Sequence, residues 1–359
     1  MFWDRLERLL VHDVAIDLGT INTLIFLRGR GVVLAEPTLI ATDRVTGEVV
    51  AVGRDALTLW GREPHGVTVH RPLHSGVIAD YELTEKMLAL LLQKALGSRP
   101  RLWTFLKVLV GTPSASTYVE RRAVEDVLKR LGAVEVTLVE EGAAAAIGSG
   151  TLVRHNRACM IVDIGGGTTD ISIVSPTGVV FSRSLTAAGV AMDEAIRDAL
   201  YSQHKILIGE QTAETIKRTV GAALPQPAPR VLTVAGKSTM TGSPCDVTIT
   251  SEEIFPILDE VLRAILEGVR SVLEHVSPEI AADLCTTGIT LTGGGSLLRD
   301  LDHRFRQEFA LPVHRAENPL ESVVHGLGYL LQDQEMRNRF ACTEAVAEWM
   351  NDMAYSAAR

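Results

Sequence analysis

The chain has 359 residues, a formal net charge of −9, 46% hydrophobic residues and 22% charged ones. A chain of that length exceeds one ordinary core and calls for two domains or one large duplicated α/β body. The acidic balance argues against a nucleic-acid surface as the principal role, because counterion release needs clustered Lys and Arg. A local basic or apolar patch that meets a membrane stays compatible with it. Cys159, Cys245, Cys285 and Cys342 are scattered, with no CxxC pair and no histidine cluster at metal spacing. That usage reads as a reducing, cytosolic compartment without a structural metal. No run approaches the roughly 18 to 20 apolar residues of a spanning helix, and no cleavable signal opens the chain.

Residues 1–10, MFWDRLERLL, put Phe2, Trp3, Leu6, Leu9 and Leu10 on one helical face with charges opposite. The pattern suits a helix packed on the body or, given the aromatic pair at the terminus, an interfacial membrane anchor. Extended runs follow at 13–18, 23–27 and 32–35, with bends at Gly19-Thr20 and Gly29-Arg30-Gly31. Residues 36–75 carry Gly, Pro and short strands, as in a small inserted lobe. A helix is expected from Thr84 to Ala95, a Pro-containing loop at 98–103, a buried strand at 106–110, a helix at 119–131 and a strand at 134–139. In the loop, Leu102, Trp103 and Phe105 beside Arg99 and Arg101 suit a capped core or insertion among anionic headgroups. The second half opens with strands at 158–163 and 171–174. Residues 189–275 read as largely helical, apart from a Pro- and Gly-rich section at 225–244 belonging to a second lobe. A last strand, 288–291, ends in Thr292-Gly293-Gly294-Gly295. Beyond Gln332, Val346, Trp349, Met350 and Met353 recur at helical spacing, which suits a docked helix or a partner-binding one.

AIDLGTINTLIF near the start and IVDIGGGTTDISIV roughly 145 residues later share one plan: strand, Asp, Gly-rich turn, Thr, strand. An internal repeat is evidence of architecture and indicates a duplicated fold. Glycine lets backbone amides approach an anion, and several amides aimed at one point form a phosphate nest. Thr20, Thr168 and Thr169 add hydroxyl donors. Asp17 and Asp163 would repel phosphate, so they fit as ligands of a hydrated Mg²⁺. One such turn alone reads equally well as a tight hairpin; two copies and a third Gly-rich turn point to a nucleotide clamped from both sides. No Walker loop occurs, and the glycines lie between strands rather than opening a helix, which excludes a dinucleotide fingerprint.

DLGTINT, DIGGGTTD and TGGGSLL resemble, in that order, the first phosphate loop, second phosphate loop and adenosine motif of the actin, sugar-kinase and heat-shock-chaperone superfamily. From about residue 13 to 331 the chain also resembles the MreB family of bacterial actin homologues. The stretches that carry this are AIDLGTINTLIFLRGRGVVLAEPTLIA, RPLHSGVIADYELTEKML, VERRAVEDVLKRLGA, IGEQTAETIK and LTGGGSLLRDLD. The resemblance implies a duplicated actin-like (ribonuclease H-like) α/β fold, with each of two domains holding a mixed sheet, flanking helices and an inserted subdomain. Domain I would take 13–145 plus about 320–335, with a lobe at about 33–75. Domain II would take 146–319, with a lobe at about 185–248, between an amphipathic segment 1–12 and a tail 336–359.

It further implies an ATPase that polymerises with itself, lies in the cytoplasm at the inner face of the membrane, and directs cell-wall synthesis through membrane-bound partners. Asp17, Gly19, Thr20 and Asn22 carry over to the first phosphate and metal side. Asp163, Gly165, Gly166, Gly167, Thr168 and Thr169 carry over to the second, and Gly189 to the cofactor-binding residues. Glu214 and Lys217 would flank the ribose and base, and Gly293, Gly294 and Gly295 would lie under the adenosine. Glu120 matches the water-positioning acid; without the family match it would read as a solvated charge at a helix start. The chain departs from the family at Glu140-Glu141-Gly142, where a proline is expected in place of Gly142. Glycine frees the backbone that proline would fix, which loosens the expected hinge. Three alternatives stand beside the filament protein: a non-polymerising or specialised paralogue of it, given the altered hinge and longer tail; a small-molecule kinase of the same superfold, whose substrate lobe and base are not evident beyond Glu120; and a chaperone ATPase, which would need a longer chain.

Overall fold

A computed structural model describes residues 11–97 and 105–342. The first half opens with β1 (Val11–Leu18), β2 (Asn22–Leu27) and β3 (Gly31–Pro37), an antiparallel meander. A small lobe follows, made of β4 (Ile40–Asp43), β5 (Val49–Val52), α1 (Arg54–Leu59) and β6 (Val67–His70), and after it the short pair β7 (Leu73–His74) and β8 (Val77–Ile78). Helix α2 (Tyr81–Leu96) starts where the Asp80 carboxylate accepts from Leu83 N, and ends before Gly97 at φ 81°. Then come β9 (Phe105–Thr112), α3 (Tyr118–Arg130) and β10 (Ala133–Glu140), and the sheet order is β10-β9-β1-β2-β3. β9 and β10 run parallel to β1 because helices carry the chain back across the sheet.

Helices α4 (Glu141–Gly148) and α5 (Thr151–His155) lead to the second half. There β11 (Cys159–Ile164), β12 (Thr169–Ser175) and β13 (Gly178–Leu185) form the same meander. Helix α6 (Gly189–His204), β14 (Ile206–Leu207), α7 (Glu210–Val220), β15 (Val231–Ser238) and β16 (Pro244–Thr250) form the second lobe's elements. Helices α8 (Ser251–Leu273) and α9 (Pro278–Thr287) then lead to β17 (Ile289–Thr292), α10 (Leu301–Glu308) and β18 (Val313–Arg315). The order β13-β12-β11-β17-β18 repeats that of the first sheet, with β17 and β18 parallel to β11. The repeat seen in two short motifs therefore extends to whole sheets.

Two of these strands were not legible in advance. β13 carries a half-exposed pattern without strict alternation, and β18 is three residues long. The stretch expected to be largely helical contains a three-stranded sheet, β14-β15-β16. β15 is mostly exposed, so its pairing partner rather than its own apolar pattern makes it a strand.

Each half has its own core, and a third apolar cluster joins them. Ala143–Ile147 of α4 and Val323, Val324, Leu327 and Leu330 of α11 (Ser322–Leu330) lie between Ala15 and Leu109 of the first sheet and Cys159, Ile161 and Val174 of the second. The helices cross at backbone contact. A Cβ on Gly148 would lie 2.6 Å from Gly326 N, and one on Gly326 would lie 2.6 Å from the Ala144 carbonyl carbon. Helix α12 (Gln334–Phe340) docks beyond α11, where Arg339 Nη1 donates to Pro176 O of the second half at 2.8 Å. Among the described residues no helix is long and apolar enough to cross a membrane.

Candidate functional site

Both meanders turn in the same way at their first bend. Gly19 N donates to Asn22 O at 3.1 Å, and Gly165 N donates to Thr168 O at 2.9 Å. Asp17 pairs across the ladder with Leu24, as Asp163 does with Asp170, so each aspartate is the last but one residue of its strand, two before the closing glycine. Glycine is required at the first of these, since a Cβ on Gly19 would lie 2.8 Å from Asn22 O.

The two turns meet. A side chain on Gly166 would come within 2.9 Å of Ile21 Cβ, and one on Gly167 within 2.9 Å of Thr20 Cβ and 3.0 Å of Ser75 Cα. Thr20 Oγ1, itself buried, accepts from Gly76 N at 2.8 Å. A cleft of about 740 Å³ is lined by Thr20, Ser75 and Gly167 of this junction together with Arg71, Asp193 and Arg197. That volume suits a nucleotide-sized ligand. The lobes are clasped over it: Arg71 Nη1 bonds Glu210 Oε1 at 2.6 Å, Arg71 stacks 5.2 Å from the Trp60 ring, and Gln211 Nε2 donates to Leu57 O at 3.1 Å.

Beneath the loops the two halves bring carboxylates together. Burial lifts Asp17 to about 7. Burial, with Asp17 and Asp170 adding repulsion, lifts Asp163 to about 8. Glu141 stands well above the ordinary range, first through burial and then through Asp170, Asp17 and Asp163. These charges act on each other across the interface, so Asp17 and Asp163 share one environment rather than facing separate cavities. Asp170 is raised by burial and held by Ser114, whose N and Oγ both donate to Oδ1 at 3.0 Å from the other half. Carboxyls raised in this way favour the neutral form, and a cation beside them would favour the ionised one. Among the described residues no three His, Cys, Asp or Glu side chains are arranged to hold a metal by themselves. Asp17 and Asp163 could hold a hydrated divalent ion that takes its other ligands from water and phosphate.

The second loop is braced from behind. Gly189 N donates to Gly165 O at 3.1 Å and Val190 N to Gly166 O at 2.8 Å, so the first amides of α6 take up the loop carbonyls. Lys217 Nζ fixes that turn by bonding Gly189 O at 2.9 Å and Asp193 Oδ2 at 2.7 Å. Burial outweighs the Lys217 ammonium and lifts Asp193 to about 6. Gly293, at φ 76°, lies under the loop: a Cβ there would meet the Asp163 carboxylate and come within 2.6 Å of the Ile164 carbonyl carbon.

Other expected residues fall elsewhere. The Glu120 carboxylate accepts from Thr117 N at 2.7 Å and Thr117 Oγ1 at 2.9 Å, forming a capping box at the start of α3. The acid that lies with Asp17 and Asp163 is Glu141. Asn22 is exposed and contributes its backbone carbonyl. Thr169 is fully buried and its hydroxyl donates to Ala187 O at 2.6 Å, whereas Thr168 is half-buried and its hydroxyl bonds the Asp170 carboxylate. Glu214 is exposed beside Arg218, Lys217 serves as a brace, and Gly294 and Gly295 open a 3-10 turn of which Gly294 is exposed. Phe2, Trp3, Leu6, Leu102 and Trp103 lie outside the described residues, as does the tail beyond 342, whereas Phe105 is half-exposed at the start of β9. Glu141 and Asp170 could have been marked from their place in EEGAAAA and at the end of DIGGGTTD, but only folding brings them together.

Two sheets of identical order, joined at paired Asp–Gly turns beneath one cleft, define the duplicated actin-like fold. The MreB/Mbl protein family model matches residues 11–339. MreB of Escherichia coli is 43% identical over 329 residues, covering 90% of this chain and 94% of that protein. Mbl of Bacillus cereus is 40% identical over 326 residues, covering 90% and 96%. Both are cell shape-determining proteins. The crystal structure of MreB5 of Spiroplasma citri bound to AMPPNP superposes with a TM-score of 0.85 at 34% identity, covering 91% of this chain and 97% of that one. The chain belongs to the MreB/Mbl family.

Proposed function

We propose that this chain binds magnesium–ATP between its halves, hydrolyses it to ADP and phosphate, and assembles with copies of itself into filaments at the inner face of the cytoplasmic membrane. There it directs cell shape through membrane-bound cell-wall synthesis proteins. The observation that carries the reading is the junction itself: two glycine turns in contact over buried carboxylates drawn from both halves. AMPPNP on the similar MreB5 and the cell-shape names of the relatives support it.

The roles follow from the chemistry. Amides of Thr20 and Gly166–Thr168, with the Thr20 hydroxyl, offer donors to phosphate oxygens, while the Gly19 and Gly165 amides close the turns. Asp17 and Asp163 would hold a magnesium ion, which when bound would supply positive charge that offsets the phosphate oxygens. Glu141 orients a water toward the γ-phosphorus. As the water oxygen bonds to phosphorus and the bond to the ADP oxygen breaks, the carboxylate takes the water's proton. Burial first and then Asp170, Asp17 and Asp163 hold Glu141 raised, so positive charge beside this carboxylate group would favour the ionised form the role needs. Glu120 serves as the cap of α3 rather than in this step.

Purified full-length chain should release phosphate from ATP in a magnesium-dependent way and form sedimentable filaments visible by electron microscopy, enriched on anionic liposomes. Removal of residues 1–10 should weaken liposome binding and leave assembly intact. Failure to take up ATP would remove the reading; turnover without filaments would remove its cytoskeletal part.

A further inference from the structure

We propose that the close approach of Gly142 to Ser172 sets how deeply Glu141 enters the carboxylate group, which makes both of them positioning residues for the hydrolysis put forward above. The inference rests on that reading and deepens it.

Helix α4 starts at Glu141, directly after the end of β10, and its first turn lies on the second sheet. Along a strand, every second residue shares a face. Asp170 and Ser172 are therefore neighbours on one face of β12, and Asp163 and Ile161 stand opposite them on β11. Ile161 and Val174 of that face pack against the alanines of α4. The face that carries the acids is the face on which the helix rests.

Gly142 sits directly over Ser172. A Cβ built on Gly142 would lie 2.5 Å from Ser172 Cβ and closer still to Ser172 Oγ. Ser172 is fully buried, and its hydroxyl finds no hydrogen-bond partner among the described residues. Its consequence at this contact is therefore volume rather than a bond. The far side of the helix is equally constrained, because Gly148 and Ala144 meet α11 at backbone contact through Ser322 and Gly326. A helix pinned between backbone on one side and a buried strand on the other cannot retreat as a body. Any atom added at 142 must be absorbed by the first turn, which carries Glu141. Proline, the residue expected at 142 from the family resemblance, brings the same Cβ against the same atoms.

The test uses the full-length chain, with steady-state and single-turnover phosphate release, titration by a fluorescent ATP analogue, and melting without nucleotide. Gly142→Ala is expected to lower kcat by between about tenfold and a hundredfold, the scale of a displaced reacting group. Its nucleotide affinity should stay within about threefold of the parent's, since the glycine turns are not touched. Gly142→Ala combined with Ser172→Gly removes the obstructing atoms and is expected to recover most of the lost turnover and of the lost melting temperature. If Gly142→Ala does not fold, Ser172→Thr adds a methyl to the same contact from the strand side and is expected to show the same split. Parental turnover in Gly142→Ala, or a loss the double variant does not relieve, overturns this inference and leaves the proposed function standing. A parent that binds nucleotide without hydrolysing it overturns both.

Discussion

Glu120 and Glu141 show how much a carboxylate's role depends on what surrounds it. Glu120 is held by Thr117 at the head of α3, whereas Glu141 lies buried among acids from both halves. Glu141→Gln is expected to cut single-turnover hydrolysis by about 10²-fold or more, with nucleotide affinity little changed. Glu120→Gln should keep parental turnover and lose about 0.3–1.5 kcal/mol of stability as the cap weakens; a collapse of turnover there would return the water-positioning role to Glu120. The buried aspartates also set a pH dependence. Asp17 and Asp163 sit at about 7 and about 8 against an ordinary 3.8, so their contribution to stability is complete below the unfolded value and lost as pH rises through the folded ones. Nucleotide-free protein should therefore melt at lower temperature as pH rises from about 6 to about 8.5, and Asp163→Asn should flatten that slope. A melting temperature that climbs over this range would contradict the burial of these acids.

Among the elements, the glycine turns and their braces act as units. Gly166 lies against Ile21, so Gly166→Ala must push the two loops apart or displace that side chain. Nucleotide affinity is expected to fall by about tenfold, and Ile21→Ala in the same chain should restore most of it, because a branched side chain yields where backbone does not. An unrelieved loss would place the fault within the loop itself. Helix α6 is the other half of this device: its amides take the loop carbonyls, and Lys217 ties it down. Sequence reading placed Lys217 beside the ligand because AETIK marks the position without revealing its partner. A lysine's reach spans several possible partners, and which one it meets depends on how α7 lies against α6.

Across the whole molecule, the two halves meet at three levels: the α4–α11 crossing at the base, the Asp170–Ser114 bond at mid-height and the Arg71–Glu210 clasp over the cleft. Arg71 and Glu210 are mostly buried, and the Trp60 ring stacks on the guanidinium, so the pair is better shielded than an open surface ion pair. Arg71→Ala should speed release of a fluorescent ADP analogue several-fold in stopped flow, with the single-turnover rate retained. Unchanged release would mean that the clasp does not govern access.

The duplication, the strand–turn–strand plan of each half and the place of Asp17, Asp163 and the turn glycines within it were legible in the residues, because backbone turns and buried strands impose local requirements that only certain side chains meet. The burial that raises those aspartates, the company of Glu141 and Asp170, the capping of α3 by Glu120 and the close seat of Gly142 on Ser172 were decided by tertiary structure. Each of these depends on the distance between groups far apart along the chain. Local pattern says which face of an element is apolar, but only packing says how near two faces come.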